Sequence, residues 1–382
     1  VKGWRWLMDF PYTWGFFGRV VLKASALFLL LNLVFIVAQP LPTLSHLSVY
    51  NWLVPGRERL PYGESADAFN LTLDSVPAML ASHQLSRAKA PDEVRVLLLG
   101  DSSVWGMLLP PHDTLSGWLN RANLRAAGQP EGRRLVFYNL GYPTLSALKD
   151  LLILDGAMGH TPDLIVWVIT PDSLYREHQL GVPLVQRNTE TVRDLIRRYD
   201  LDESPDDPRL QSDDLFGRSL IGQRRALADL WRLQLFGIGW ALTGIDQVYA
   251  DYTPVSNDLP DDETWQGQPR GADLAPLLAL DVLHAGQGRA GQVPILWINA
   301  PIYRADGSNS DLRYNVWYPR WTMAAARDIM AQVMREQSWH YLDAWDAIPP
   351  SAFTDSPLHL TQDGSRQFAA LLHDPVLRLV RE

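Results

Sequence analysis

The chain contains no cysteine among its 382 residues. Disulfides, thiolate metal sites and cysteine nucleophiles are therefore excluded, while the compartment stays undecided. It also lacks a basic run. Its longest basic clusters are pairs such as Arg133-Arg134, Arg197-Arg198 and Arg224-Arg225, and the net charge is −9. That balance excludes nucleic acid as a main partner, because phosphate binding needs concentrated positive charge. No His/Asp/Glu spacing suits a metal site and no segment repeats, so no metal and no other cofactor is expected. Apolar residues, by contrast, make up 47 % of the chain, and there are 15 tryptophans. This is enough to bury the core of one α/β domain with appendages. The tryptophans read first as core and interfacial packing, and second as sugar- or lipid-facing aromatics.

One long apolar run stands apart at residues 16–39. From Ala24 to Ala38 only Ser25 and Asn32 are polar, and Lys23 can snorkel toward a headgroup. The stretch reaches the roughly 20 residues a spanning helix needs. It ends in Ala38-Gln39-Pro40-Leu41-Pro42, with no small-x-small cleavage site, so it reads as an anchor rather than a signal peptide. Lys2, Arg5, Arg19 and Lys23 precede or open it, and only Arg57 and Arg59 follow closely. The positive-inside rule then predicts a single-pass cell-membrane protein with a cytoplasmic N-terminus and an extracytoplasmic main domain. Trp4, Trp6, Tyr12, Trp14, Phe16 and Phe17 suit an aromatic belt at the membrane interface. The competing reading is a buried helix of a soluble protein. The expected layout is a tail and single transmembrane anchor over 1–42, a juxtamembrane linker over 43–93 and an α/β domain over 94–382. Within the linker lie a short helix around Asp74–Gln84 and the glycosylation triplet Asn70-Leu71-Thr72.

In the domain, five short apolar runs alternate with helical patterns. The runs are Val94–Leu99, Leu135–Leu140, Leu164–Thr170, Val293–Asn299 and His340–Leu342. Helices are expected over Thr114–Ala127, Thr144–Met158, Trp317–Gln337 and Asp363–His373. Such alternation predicts a parallel sheet covered by helices on both faces, with ligands beyond the carboxyl ends of the strands. Gly100-Asp101-Ser102 stands at one strand end; Gly141, Thr170–Asp172 and Asn299 stand at others. The stretch 176–292 breaks the alternation and reads as an insertion beside the crevice. It holds two acidic irregular loops around a helical region from about Leu215 to Tyr249. Leu227–Ile245 is apolar enough to raise a second membrane span, but Asp229, Arg232 and Gln234 favour a soluble or membrane-surface amphipathic helix.

A serine at a strand end, followed late in the chain by Asp355 and His359, supplies the parts of a nucleophilic hydrolase in the order Ser…Asp…His. With its position after an apolar strand, Gly100-Asp101-Ser102 resembles the first block of the SGNH (GDSL-type) hydrolase superfamily. Asn139-Leu140-Gly141 resembles the second block, and Asp355…His359-Leu360-Thr361 ahead of a final helix resembles the last. The resemblance covers about residues 94–382, interrupted by the insertion. It implies a flavodoxin-like three-layer α/β/α sandwich, Ser102 as nucleophile, His359 as general base and Asp355 as orienting acid. It also implies backbone N–H groups of Ser102 and Gly141 as oxyanion donors.

Two departures stand out. The third block is normally Gly-x-Asn-Asp, whereas the corresponding strand end here reads Ile169-Thr170-Pro171-Asp172. Pro171 has neither the asparagine amide nor a backbone N–H, and Asn299 or a group from the insertion is the candidate replacement. The other departure is an acid-to-histidine spacing of Asp-x-x-x-His. Pro357 between them implies a loop able to absorb the extra residue. The expected activity is an extracytoplasmic, membrane-anchored serine esterase or O-acyltransferase. Its substrates would be acyl esters of cell-envelope polysaccharide, and the bilayer and a polytopic membrane acyltransferase are its expected partners. The alternative is a weak or inactive SGNH-like accessory subunit of a membrane complex.

Overall fold

Five apolar runs form strands: β1 (Glu93–Leu99), β2 (Arg134–Asn139), β3 (Leu164–Ile169), β4 (Ile295–Asn299) and β5 (His340–Asp343). The computed structural model describes residues 13–54, 56–63, 72–126, 132–210, 214–245, 249 and 251–380. Asn70 of the glycosylation triplet and Lys2, Trp4, Arg5, Trp6 and Tyr12 lie outside the described residues. All strand pairs are parallel, in the order β2-β1-β3-β4-β5. This is the flavodoxin-like doubly wound order, whose direction reverses between β1 and β3.

Both faces of the sheet are covered, which explains why its strands read as continuous apolar runs. Alternate residues Leu97, Leu99, Ile165, Trp167, Ile295 and Trp297 enter one core, while Val96, Leu98, Val166, Val168, Leu296 and Ile298 enter the other. Among the helices are α1 (Trp14–Ala38), α2 (Ser102–Trp105), α3 (Leu115–Arg121), α4 (Ala147–Ala157), α5 (Leu220–Thr243), α6 (Leu280–Ala290), α7 (Arg320–Glu336) and α8 (Gln362–Leu379). Helices α4, α6 and α7 cover the first face, and α3 and α8 cover the second. The result is a three-layer α/β/α sandwich.

On the first face Trp167 stacks on Trp297 at 4.9 Å between ring centroids, and Trp297 on Trp339 at 5.5 Å. Gly286 of α6 admits this stack, since a Cβ there would lie 2.5 Å from the Trp167 ring.

Helix ends differ from the sequence pattern for local reasons. The pattern carries α3 to Ala127, but the helix stops at Arg121 and Asn123 then turns left-handed at φ 49°. The pattern ends α8 at His373, yet the helix continues through Pro375 to Leu379. Leu372, Val376 and Leu379 are all buried at helical spacing, and that contact outweighs the backbone bond lost at the proline.

The described part of 43–93 packs on the domain. Leu60, Leu73, Val76, Met79, Leu80 and Leu85 join the first core. Within 176–292, Leu184, Val192, Leu195 and Ile196 do the same, and α6 serves as the crossover helix into β4. Helix α1 is 25 residues long and apolar enough to cross a membrane, and nearly all of its length is exposed.

Candidate active site

Strand β1 delivers its last residues to the reversal point of the sheet. Gly100 has φ 152°, and a Cβ there would lie 2.7 Å from Val104 Cγ2 and 2.9 Å from the Val168 carbonyl. Only glycine fits this crossing between strand and helix. The chain then turns directly into α2. Asp101 caps it by accepting the Ser103 N–H at 2.8 Å, and Ser102 becomes the first helical residue. Among the described residues no acceptor engages the Ser102 N–H.

The second part comes from the loop before α8. Phe353 and Leu360 form an antiparallel bridge, and the Thr354 N–H donates to the His359 carbonyl at 2.9 Å. The Tyr303 N–H, beyond β4, holds the Pro357 carbonyl at 2.8 Å. This closed turn absorbs the extra residue between acid and histidine. His359 Nδ1 lies 2.8 Å from Asp355 Oδ1, and His359 Nε2 lies 2.8 Å from Ser102 Oγ. Thr354 Oγ1 donates to the same Asp355 oxygen at 3.1 Å.

Burial alone would raise the Asp355 carboxyl. The hydrogen bond and charge of His359, with the Thr354 bond, outweigh burial and hold it below the ordinary carboxylate range. An ionised Asp355 can only accept, so the imidazole proton sits on Nδ1 and the Nε2 lone pair faces the Ser102 hydroxyl. Three residues more than 250 positions apart at the extremes thus form a chain in which Ser102 can lose a proton to His359.

The oxyanion side differs from expectation. The Gly141 N–H donates to Asn139 Oδ1 at 3.1 Å, so it is not free for a substrate oxygen. Asn139 Nδ2 in turn donates to the Val104 carbonyl at 2.8 Å, tying the end of β2 to α2. Asn299 Nδ2 donates to Asp343 Oδ1 at 2.8 Å, and Asp343 Oδ2 receives the Arg327 Nε at 2.8 Å. The amide of Asn299 therefore braces β4 against β5 instead of facing Ser102. Pro171 opens a short helix, Pro171–Leu174, capped by Thr170. Of the named donors, the Ser102 N–H alone remains without a protein acceptor.

Lys149 is a residue the sequence pattern did not single out. It is fully buried, and its Nζ donates to the carbonyls of Gly100 and Tyr142 at 2.9 Å each. It pairs with Asp150 Oδ1 at 2.7 Å, while Trp167 Nε1 donates to Asp150 Oδ2 at 3.2 Å. Burial pushes the Asp150 carboxyl up to about 6, against the pull of Lys149. The signal available in the sequence was a Lys-Asp pair inside the otherwise apolar run Leu148–Leu154. Asp172 links the insertion to the site: its Oδ1 accepts from Trp265 Nε1 at 3.1 Å and Gln266 Nε2 at 3.0 Å. No group of His, Cys, Asp and Glu among the described residues could hold a metal ion.

No protein-family model and no curated protein matches the chain. Among solved structures it is similar to the native aryl esterase of M. smegmatis, at 11 % identity and TM-score 0.33. It is also similar to a carbohydrate acetylesterase from Sinorhizobium meliloti, at 11 % identity and TM-score 0.34. Each match covers 75 % of this chain and 99 % of the other. A member of the lipolytic protein G-D-S-L family from Veillonella parvula DSM 2008 matches at 9 % identity and TM-score 0.33, over 73 % of this chain and 96 % of that one. Superpositions this loose carry no argument by themselves: the fold assignment rests on strand order and the site on its own contacts.

Proposed function

We propose that the chain is an SGNH-type serine esterase, held at a membrane by α1, that cleaves acyl esters through Ser102, His359 and Asp355. The observation that carries this reading is the pair of 2.8 Å contacts running from Ser102 Oγ through the His359 ring to Asp355. In the first half-reaction Ser102 Oγ bonds to the acyl carbon as His359 Nε2 takes its proton. The tetrahedral intermediate collapses, the ester C–O bond breaks, and His359 returns the proton to the leaving alkoxide. Asp355 stabilises the imidazolium meanwhile, and the Ser102 N–H donates to the oxyanion. In the second half-reaction water or a sugar hydroxyl attacks the acyl-enzyme, giving hydrolysis or O-acyl transfer. Anchoring favours a substrate displayed at the membrane surface, and short acyl esters of envelope glycans are the proposed class. A polytopic membrane acyltransferase is the proposed acyl donor where transfer is the outcome.

One observation favours a second reading, an accessory subunit with weak or no turnover. The amides of Gly141 and Asn299 are both held by protein acceptors, and loss of one oxyanion donor costs about 10²–10³ in rate. Full-length protein in detergent, treated with a fluorophosphonate probe beside Ser102→Ala, separates the two. Labelling that disappears in the variant supports the esterase. A folded wild type that resists the probe leaves the accessory subunit.

A further inference from the structure

Helix α1 meets α5 near its C-terminal end. Asn32 and Phe35 are its only buried side chains among the described residues, and what covers them is the start of α5. Asn32 Oδ1 accepts the Ile221 N–H at 3.2 Å, and its Nδ2 donates to the Phe28 carbonyl at 2.9 Å. Gln39 Nε2 donates to the Arg218 carbonyl at 3.1 Å, and Gln223 Nε2 donates to Gln39 Oε1 at 3.3 Å. Asn32 lies six residues before Ala38, the last residue of α1. At 1.5 Å per residue its level is about 9 Å inside the end of the helix. If α1 spans a bilayer, the first turn of α5 therefore lies below the membrane surface.

Two further features of this tip fit lipid. Leu215 and Phe216, in the turn leading into α5, are 71 % and 63 % exposed. Their neighbours' backbone donors are nevertheless satisfied within the protein. The Gly217 and Arg218 N–H groups bond to Asp214, Ser219 N–H to the Phe216 carbonyl, and Gly222 and Gln223 N–H to Ser219. With Ile221 bonded to Asn32, the donors that follow Phe216 are thus largely satisfied, while Asp214, exposed at the start of the turn, accepts the Gly217 N–H. Arg224 and Arg225 are exposed in the next turn, where anionic headgroups would meet them.

We propose that Leu215 and Phe216, at the tip of the turn before α5, insert into the bilayer leaflet at the C-terminal end of α1, with Asp214 and Arg218 at the headgroup level and the turn clamped by Asn32. This rests on the reading of α1 as a membrane span. The insertion would thus be a second attachment that fixes the tilt of the catalytic domain, where a lone helix would leave it free to swing. A chain without cysteine makes the test direct. Single Leu215→Cys and Phe216→Cys variants of the full-length protein are labelled with an environment-sensitive fluorophore. They are then reconstituted in vesicles of equal parts phosphatidylcholine and phosphatidylglycerol. Leu29→Cys on α1 and Gln337→Cys on the domain surface serve as lipid and water references.

The expected result is that nitroxide-bearing lipid quenches the labels at 215 and 216, as it does at 29, while aqueous iodide quenches only the label at 337. Iodide quenching at 215 and 216 with lipid quenching retained at 29 overturns the inference and leaves the anchor standing. Iodide quenching at 29 overturns the anchor itself. Both 215 and 216 are exposed, so neither substitution threatens the fold.

Discussion

Lys149 Nζ donates to the Gly100 carbonyl at 2.9 Å, two residues before Ser102, and to the Tyr142 carbonyl on the neighbouring loop. One buried ammonium thus ties together the loops that follow β1 and β2. Lys149→Met removes both bonds and leaves Asp150 buried without its cation, a change that costs about 3–5 kcal/mol. Urea unfolding of the variant should show that loss. Adding Asp150→Asn should recover part of it, because the unpaired carboxyl is then gone while the Trp167 acceptor remains. A double variant no more stable than the single one would show that the pair charge is not what matters.

In the proposed mechanism Asp355 acts through His359, so Asp355→Asn should damage turnover rather than binding. An asparagine amide at 2.8 Å favours the wrong imidazole tautomer, and the expected fall in kcat is roughly 10²–10⁴ with little change in KM. Steady-state hydrolysis of a short-chain aryl ester, with thermal unfolding as the control for folding, measures it. An unchanged kcat would remove Asp355 from the mechanism.

Gly100→Ala should disturb both stability and Ser102. Its Cβ would meet the Val104 side chain at 2.7 Å and the Val168 carbonyl at 2.9 Å, at a φ that L side chains rarely adopt. A loss of about 1–3 kcal/mol in urea unfolding is expected. Slower fluorophosphonate labelling should accompany it, since Ser102 is carried on the turn that must move.

Asn299→Ala tests where its amide works. Held by Asp343, it should leave kcat/KM within about threefold of wild type, against the 10²–10³ drop that loss of an oxyanion donor brings. Thermal unfolding should register the lost brace between β4 and β5. A hundredfold fall in kcat at unchanged stability would return Asn299 to the oxyanion site.

The sheet was legible because strands buried on both faces leave continuous apolar runs, and each predicted strand matches an observed one to within two residues. Ser102, Asp355 and His359 could be singled out because chain order and strand-end position are both visible in a sequence. The oxyanion side was not, since the acceptors that take up Gly141 and Asn299 are set by tertiary neighbours. Nothing in Asn139-Leu140-Gly141 announces that the asparagine will turn back on the glycine. Lys149 escaped for a related reason: a lysine is read as surface until the fold shows two carbonyls and a carboxylate waiting for it. Pro375 misled in the opposite sense, because local propensity ends a helix that burial of Val376 and Leu379 continues.

His83 gives the acid limb of stability a specific source. It is fully buried, and desolvation is the main cause that lowers it from 6.5 to about 4, with Arg57 and His160 adding to the effect. A base whose folded pKa is depressed binds fewer protons folded than unfolded between those two values. Its contribution is therefore complete above pH 6.5 and is lost as the pH falls through 4. The shift corresponds to about 3 kcal/mol. Asp150 and Glu203 are raised by burial, to about 6 and about 7, and their contributions run the other way. The wild-type profile is then a sum of opposed slopes, and only a difference between variants isolates His83. His83→Asn keeps an acceptor where Nδ1 takes the Leu85 N–H at 3.1 Å but cannot titrate. Urea unfolding of both proteins from pH 7 to pH 4 should show the wild type losing about 3 kcal/mol more than the variant. Parallel profiles would mean that His83 binds its proton equally well in the folded and unfolded states and that acid sensitivity arises elsewhere.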